Sequence, residues 1–271
     1  MPIHSSCEEI NVSKIIATIQ DIDMYLRTES DGSMSAAYDA YQIKTAFQPI
    51  HTVHGDIFGY EALARVYNEA GDELKTEPFF TSEYLDITDQ VNLDRLARAI
   101  HVKNFARFFP THFLFINMMP DMLLAHHRQA SAEKRNEFGG LSSQVYVELL
   151  EHDCSCNHEL QCVLHQMRAQ GLKIAIDDYG VKASSERRAR LLNPDMIKVD
   201  RSLLADYLAG ETQPLNQVVA LAHELGATLL LEGVENEAGR EVATRLGVDY
   251  MQGFYLGRPQ LLSEMLESRV Y

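Results

Sequence analysis

Five carboxylates in this 271-residue chain share one kind of position: each stands at or near the C-terminal end of a short apolar run. Glu61 lies in Ile57–Leu63 and Glu148 in Val145–Leu149, Asp177 and Asp178 follow Leu172–Ile176, and Glu232 follows Thr228–Leu231. Other polar groups fall likewise. Asn117 ends Phe113–Asn117, Lys198 and Asp200 close the Met196–Val199 run, and Gln252 follows Val248–Met251. A single acid at a strand end is ordinarily a helix cap or a solvated turn. Five acids converging on one place repel one another unless cations neutralise them. The donors are oxygens, with no Cys or His at comparable positions, which suits Mg2+ or Mn2+ over zinc. Adjacent carboxylates such as Asp177 and Asp178 allow one to bridge two ions while the other binds only the second. A two-ion site is a common device for in-line displacement at phosphorus.

The elements that must gather these residues follow from periodicity. With Thr45–Ile50 the apolar runs number eight, and amphipathic helical patterns separate most of them. Leu93, Leu96, Ala97 and Ile100 mark one helix; Leu160, Val163, Leu164 and Met167 a second; Leu215, Val218, Val219 and Ala222 a third. Gly171, Gly226 and Gly247 each stand just past an apolar helical pattern and just before a strand. Alternating strand and helix implies a largely parallel sheet, and eight strands in this length suit a closed TIM-like (β/α)8 barrel. Its strand C-termini share one face, where such barrels build active sites. The first two strands are joined only by a turn at His54-Gly55-Asp56, so they must pair antiparallel. An open doubly wound sheet is the rival architecture, but the Gly-rich phosphate loop it usually carries is missing.

Residues 1–42 read as a helical extension preceding a barrel domain at 43–271. Val12, Ile15, Ile16, Ile19, Ile22 and Leu26 repeat at helical spacing, Thr28–Ser33 reads as a turn, and a second short helix is predicted over Met34–Tyr41. The apolar stripe is expected to pack on the chain's own barrel, with a partner subunit as the alternative. No sensory domain fits in this extension.

No run of eighteen apolar residues predicts a membrane span, and Met1–Glu9 lacks the features of a signal peptide, so a cytoplasmic location is expected. A net charge of −15 argues against a broad surface for duplex nucleic acid. The cysteines Cys7, Cys154, Cys156 and Cys162 then read as reduced thiols. His152, Cys154, Cys156, His158 and Cys162 cluster in sequence, but the C-x-C spacing departs from the usual zinc pattern, and a Cys/His-rich loop is the preferred reading.

The motifs themselves resemble the EAL-domain cyclic di-GMP phosphodiesterases. The matching segments, in the family's order, are FQPI at Phe47–Ile50, GYEALAR at Gly59–Arg65, IN at Ile116-Asn117, ELLE at Glu148–Glu151, IDDYG at Ile176–Gly180, IKVD at Ile197–Asp200, EGVE at Glu232–Glu235 and QGFYLGRP at Gln252–Pro259. The similarity covers Ile43 to the C-terminus. It implies a barrel with an antiparallel early strand that hydrolyses cyclic di-GMP to linear pGpG with Mg2+ or Mn2+. By motif, Glu61, Asn117, Glu148 and Asp177 are expected to bind a first ion, and Asp177 and Asp178 a second. Lys198 orients and activates the attacking water. Glu232, near the second ion, is the general-base candidate, and Gln252 supports the water and ion network. Gln48 and Arg65 read as substrate contacts, Asp200 as a support for Lys198 or a bound water, and Glu151 as a support for the loop after Asp178. A homodimer is the expected assembly.

The loop after the aspartate pair departs from the family. Active members commonly read DDFG-T/S-GYSS, whereas Asp177–Ser185 is DDYGVKASS. Val181 removes a hydroxyl, Lys182 replaces a flexible glycine and Ala183 removes an aromatic ring. These changes are the one feature favouring a cyclic di-GMP receptor or a protein-interaction module over an enzyme. Retention of the full ligand set argues for catalysis.

Overall fold

The computed structural model describes residues 16, 19–76, 79, 85–120, 123–124, 138–150, 157–180 and 186–268. Twelve strands form one sheet among these residues: β1 (Leu26–Thr28), β2 (Met34–Tyr38), β3 (Tyr41–Thr52), β4 (Ile57–Tyr67), β5 (Glu73–Leu74), β6 (Phe113–Met118), β7 (Val145–Leu149), β8 (Lys173–Tyr179), β9 (Met196–Val199), β10 (Thr228–Leu231), β11 (Tyr250–Met251) and β12 (Gln260–Leu261). From β4 through β6, β7, β8, β9 and β10 to β11 every barrel pairing is parallel. β3 closes the circle, antiparallel to both β4 and β11. Closure excludes the open sheet, and all eight predicted strands are present.

Side-chain alternation divides the barrel into two environments. Val145, Val147 and Leu149 of β7, Ile197 and Val199 of β9, and Leu229 and Leu231 of β10 join the helices in the main core. Tyr146, Ala175, Met196 and Leu230, with Ile50 and Phe115, form a separate cluster inside the barrel. Phe58, Phe113 and Tyr250 pack on that cluster. Tyr146 stacks on Phe115 at 4.5 Å and Phe58 on Tyr250 at 3.9 Å, sealing the N-terminal end with aromatic rings.

The helices follow the sequence closely. Ile87–Phe108 starts at Asp86, whose side chain accepts the Asp89 N–H. Asn157–Ala169 buries Leu160, Val163, Leu164 and Met167, and Gln213–Leu225 buries Leu215, Val218, Leu221 and Ala222. The helices ending at Leu225 and Leu246 stop at Gly226 and Gly247, both at φ +67°, where a side chain would be strained.

The N-terminal part corrects two expectations. Leu26, expected in the helical stripe, starts a strand because its backbone pairs with Ala36, and Val12 and Ile15 of that stripe lie outside the described residues. Met34–Tyr38 is a strand rather than a helix, pairing with β1 on one side and β3 on the other. Alanine and methionine favour helix in isolation, but tertiary bonds override that preference. Asn104 accepts the Met34 N–H at 2.7 Å and donates to the Met34 carbonyl at 2.9 Å, while the Tyr38 hydroxyl donates to Asp89 at 2.7 Å. The sheet therefore begins before residue 43. Helix appears at Ile19–Asp23, and Ile16 and Ile22 are buried with Ile43, Leu93, Leu96 and Ile100 of the same chain. The predicted turn is present, with Gly32 at φ +82°.

Candidate active site

Inside the barrel, six of the eight strands carry a polar residue two positions after an apolar residue of the inner cluster. The pairs are Phe115 and Asn117, Tyr146 and Glu148, Ala175 and Asp177, Met196 and Lys198, Leu230 and Glu232, and Tyr250 and Gln252. A period of two keeps both members on the same face, so the polar set forms a layer on the C-terminal side of the aromatic one.

Lys198 stands at the centre of that layer. Its Nζ lies 2.7 Å from Glu148 Oε1, 2.7 Å from Asp177 Oδ1, 3.0 Å from Glu232 Oε1 and 3.8 Å from Glu61 Oε2. Glu61 is further held by amides: Asn117 Nδ2 donates to its Oε1 at 2.9 Å and Gln252 Nε2 to its Oε2 at 2.7 Å. Sequence thus predicted Glu61, Asn117, Glu148, Asp177, Lys198, Glu232 and Gln252, and the fold brings them into one contact network.

Asp178 joins through an irregularity. Successive strand residues normally face opposite ways, yet carboxylate oxygens of Asp177, Asp178 and Glu232 all lie within 4.8 Å of one another. The pairing of β8 with β9 slips between Ile176 and Tyr179, and Asp178 adopts φ +49°, in the left-handed region that Asp tolerates better than most residues. The slip turns two consecutive carboxylates to the same side.

Burial sets the charge state. For Lys198, burial acts against the ammonium, but Asp177, Glu148, Glu232 and Glu61 together outweigh it and hold its pKa well above the ordinary lysine value. Burial pushes Glu148 well above the carboxylate range despite Lys198, and pushes Glu232 up to about 8. Glu61 is also buried, but Lys198 and the amides of Gln252 and Asn117 hold its pKa below the usual value. One ammonium cannot neutralise five acids, so without further cations the excess charge is relieved by keeping protons.

This donor set fits divalent cations. Lys198 approaches Glu148 Oε1 and Asp177 Oδ1 at ion-pair distance but off the hydrogen-bond axis, and Glu148 Oε2 and Gln252 Oε1 are buried with no hydrogen-bond partner among the described residues. Buried oxygens left with empty lone pairs are costly unless a cation fills them. All are hard oxygen ligands of the kind Mg2+, Mn2+ and Ca2+ take.

The remaining expected residues lie around this centre. A cavity of about 160 Å3 is lined by Gln48, Glu61, Glu232 and Gln252, together with Arg201, Glu235 and Phe254. Gln48 donates to the Gly257 carbonyl at 3.1 Å, across from Pro49, whose ring leaves no room for a Cβ at Gly257. Arg201, Glu235 and Phe254 were not singled out from the sequence, although each sits in or beside a recognised motif. Phe254 is 49% exposed, and Arg258 lies over its ring at 4.1 Å. Asp200 caps the helix Arg201–Leu208, accepting from the Ser202 N–H at 2.9 Å, and makes no ion pair with Lys198 among the described residues. Arg65 pairs with Glu73 at 3.3 Å and does not line the cavity. Glu151, the loop Val181-Lys182-Ala183, and His152, Cys154 and Cys156 of the Cys/His cluster lie outside the described residues. Cys162 is a free, exposed thiol.

Known proteins agree with this architecture. The EAL domain family model matches residues 32–259. The chain is 26% identical over 226 residues to cyclic di-GMP phosphodiesterase PdeF of Escherichia coli (strain K12), covering 81% of this chain and 30% of that protein. It is 28% identical over 210 residues to the EAL-domain containing protein YkuI of Bacillus subtilis (strain 168), covering 75% of this chain and 51% of that protein. The chain thus spans between about a third and a half of these relatives' length. The crystal structure of YkuI in complex with substrate c-di-GMP and calcium superposes with a TM-score of 0.71 at 25% identity, over 84% of this chain and 60% of that one. A calcium/cy-diGMP complex of Klebsiella pneumoniae BlrP1 gives 0.70 at 26%, over 81% and 56%. With a family match across most of its length and the barrel closed as described, the chain belongs to the EAL domain family.

Proposed function

We propose that this protein hydrolyses cyclic di-GMP to linear pGpG with the aid of two divalent ions, Mg2+ or Mn2+. The observation that carries the proposal is the inner polar layer: carboxylates from β4, β7, β8 and the end of β10 converge on Lys198, and some of their buried oxygens have no hydrogen-bond partner among the described residues. Glu61, Asn117, Glu148 and Asp177 would hold one ion, and Asp177 and Asp178 the second. Bound ions supply Lewis-acid polarisation of the scissile phosphate and ease ionisation of the attacking water.

The chain's own groups do the rest. Lys198 fixes the spacing of four carboxylates and presents a proton donor to the water and the phosphoryl oxygens. Glu232 is placed to accept the water's proton at its carboxylate. Gln252 and Asn117 keep Glu61 ionised and aligned. Gln48 and Phe254 border the space for the nucleotide, with Phe254 offering an apolar face to a base. Asp200 acts on the site through the helix it caps. Attack at one phosphorus expels a 3′ oxygen, and one such cut opens the ring.

The assignment of residues 43–271 as the catalytic barrel, a cytoplasmic location and a homodimer rest on the sequence arguments above. Incubating the protein with cyclic di-GMP and Mg2+ or Mn2+, with Glu61→Ala as control, tests the activity. Appearance of pGpG only with the unsubstituted protein is expected. Absence of turnover with both ions overturns the proposal.

A further inference from the structure

Arg65 is the expected phosphate contact that the structure does not bring to the cavity. It lies four residues beyond Glu61 on β4, about 13 Å along the strand and on the same face by parity. Its guanidinium is engaged elsewhere. Nε is 3.3 Å from Glu73 Oε1, and Nη1 donates to the carbonyl of Ala64 at 3.0 Å.

The β4–β5 ladder explains the pairing. Tyr67 and Glu73 are register partners, so Glu73 is the diagonal cross-strand neighbour of Arg65, two residues before Tyr67. On the other side Arg65 is in register with Lys44 of β3. Lys44 rests its ammonium 5.3 Å over the Tyr67 ring and gives Arg65 no negative partner. Among the described residues, Glu73 is the acid that pairs with the guanidinium. The two side chains keep 23% and 53% of their exposure, so water screens the bond and a better anion can displace it. A phosphodiester offers such an anion, with two oxygens matched to the guanidinium fork.

We infer that Glu73 is a latch on Arg65, holding its guanidinium off the cavity until a substrate phosphate takes the place of the Glu73 carboxylate. The inference rests on the proposed reading of the site as one for cyclic di-GMP. Glu73 touches no reacting atom, so it sets the strength of binding and leaves the chemical step alone. Negative charge at position 73 competes with the substrate for one cation.

Equilibrium binding of cyclic di-GMP in the presence of Ca2+ tests this on the full chain, comparing the unsubstituted protein with Glu73→Gln, Arg65→Ala and the double variant. Glu73→Gln is expected to tighten binding by about 2–5-fold at low ionic strength, the range for releasing one exposed ion pair. The gain should shrink at high ionic strength and vanish in the Arg65→Ala background. Unchanged or weaker binding by Glu73→Gln, with the unsubstituted protein binding normally, overturns the latch alone. Absence of binding by every form overturns the reading of the site, and the latch with it.

Discussion

Lys198 Nζ and Glu148 Oε1 meet at 2.7 Å where neither side chain keeps more than 1% of its exposure. A charge so deeply placed is tolerated only in company. Lys198→Met, which fills similar volume without charge, leaves the surrounding carboxylates uncompensated. We expect a loss of about 3–5 kcal/mol in urea denaturation of the metal-free protein. Mn2+ should restore more stability to this variant than to the unsubstituted protein. Cyclic di-GMP turnover should still fall by at least ~100-fold. Equal stabilisation of both proteins by Mn2+ would show that the ion does not take over the ammonium's neutralising role.

Glu232 titrates high because burial disfavours its anion, with Lys198 opposing. With its pKa raised to about 8, it holds a proton through most of the neutral range, and a cation must displace that proton. Affinity for Mn2+ should therefore rise with pH up to about 8 and then level. Calorimetry in buffers of different ionisation enthalpy should report proton release at pH 7. Glu232→Gln should flatten the rise, and an unaltered pH profile in that variant would remove Glu232 from the titrating set.

Asp178 combines a carboxylate with a left-handed backbone, and substitutions separate the two. Asp178→Asn keeps a side chain that tolerates positive φ, so its melting temperature should stay close to the original while turnover falls at least ~100-fold. Asp178→Ala should lose activity equally and stability as well, by about 1–2 kcal/mol. Equal stability of the two variants would mean that the backbone there costs nothing.

His101 is buried beside Thr45, its Nδ1 2.9 Å from the hydroxyl. Burial, with Arg98 and Arg65 adding to it, lowers its pKa from 6.5 to about 3. The folded value lies below the unfolded one, so the unfolded chain binds a proton that the native protein refuses. This contribution is complete above roughly pH 6.5 and declines as pH falls toward 3, by up to about 1.4 kcal/mol per unit. His101→Gln should flatten the acid limb of a stability–pH curve measured by urea denaturation. The same slope in both proteins would assign acid sensitivity to other groups.

By itself the sequence determined the eight barrel strands, the larger helices and the inward polar set, because a period of two ties Glu148 to Tyr146 or Lys198 to Met196 without knowledge of any partner strand. Strand termination then told which end of the barrel carries the chemistry. What lay beyond local pattern was decided in three dimensions. Met34–Tyr38 has helix-forming composition, and only Asn104, Asp89 and β3, distant in sequence, make it a strand. The slip in β8 that turns Asp178 beside Asp177 depends on the register with β9. Phe254 and Arg201 border the cavity because a loop and the start of the helix Arg201–Leu208, distant in sequence, meet at the same mouth. Arg65 carries the charge a phosphate wants, but a diagonal neighbour across a two-residue strand decides where that charge rests. Periodicity is a property of consecutive residues, whereas an ion pair depends on distance between residues the chain has brought together. That distance is fixed only when the sheet closes.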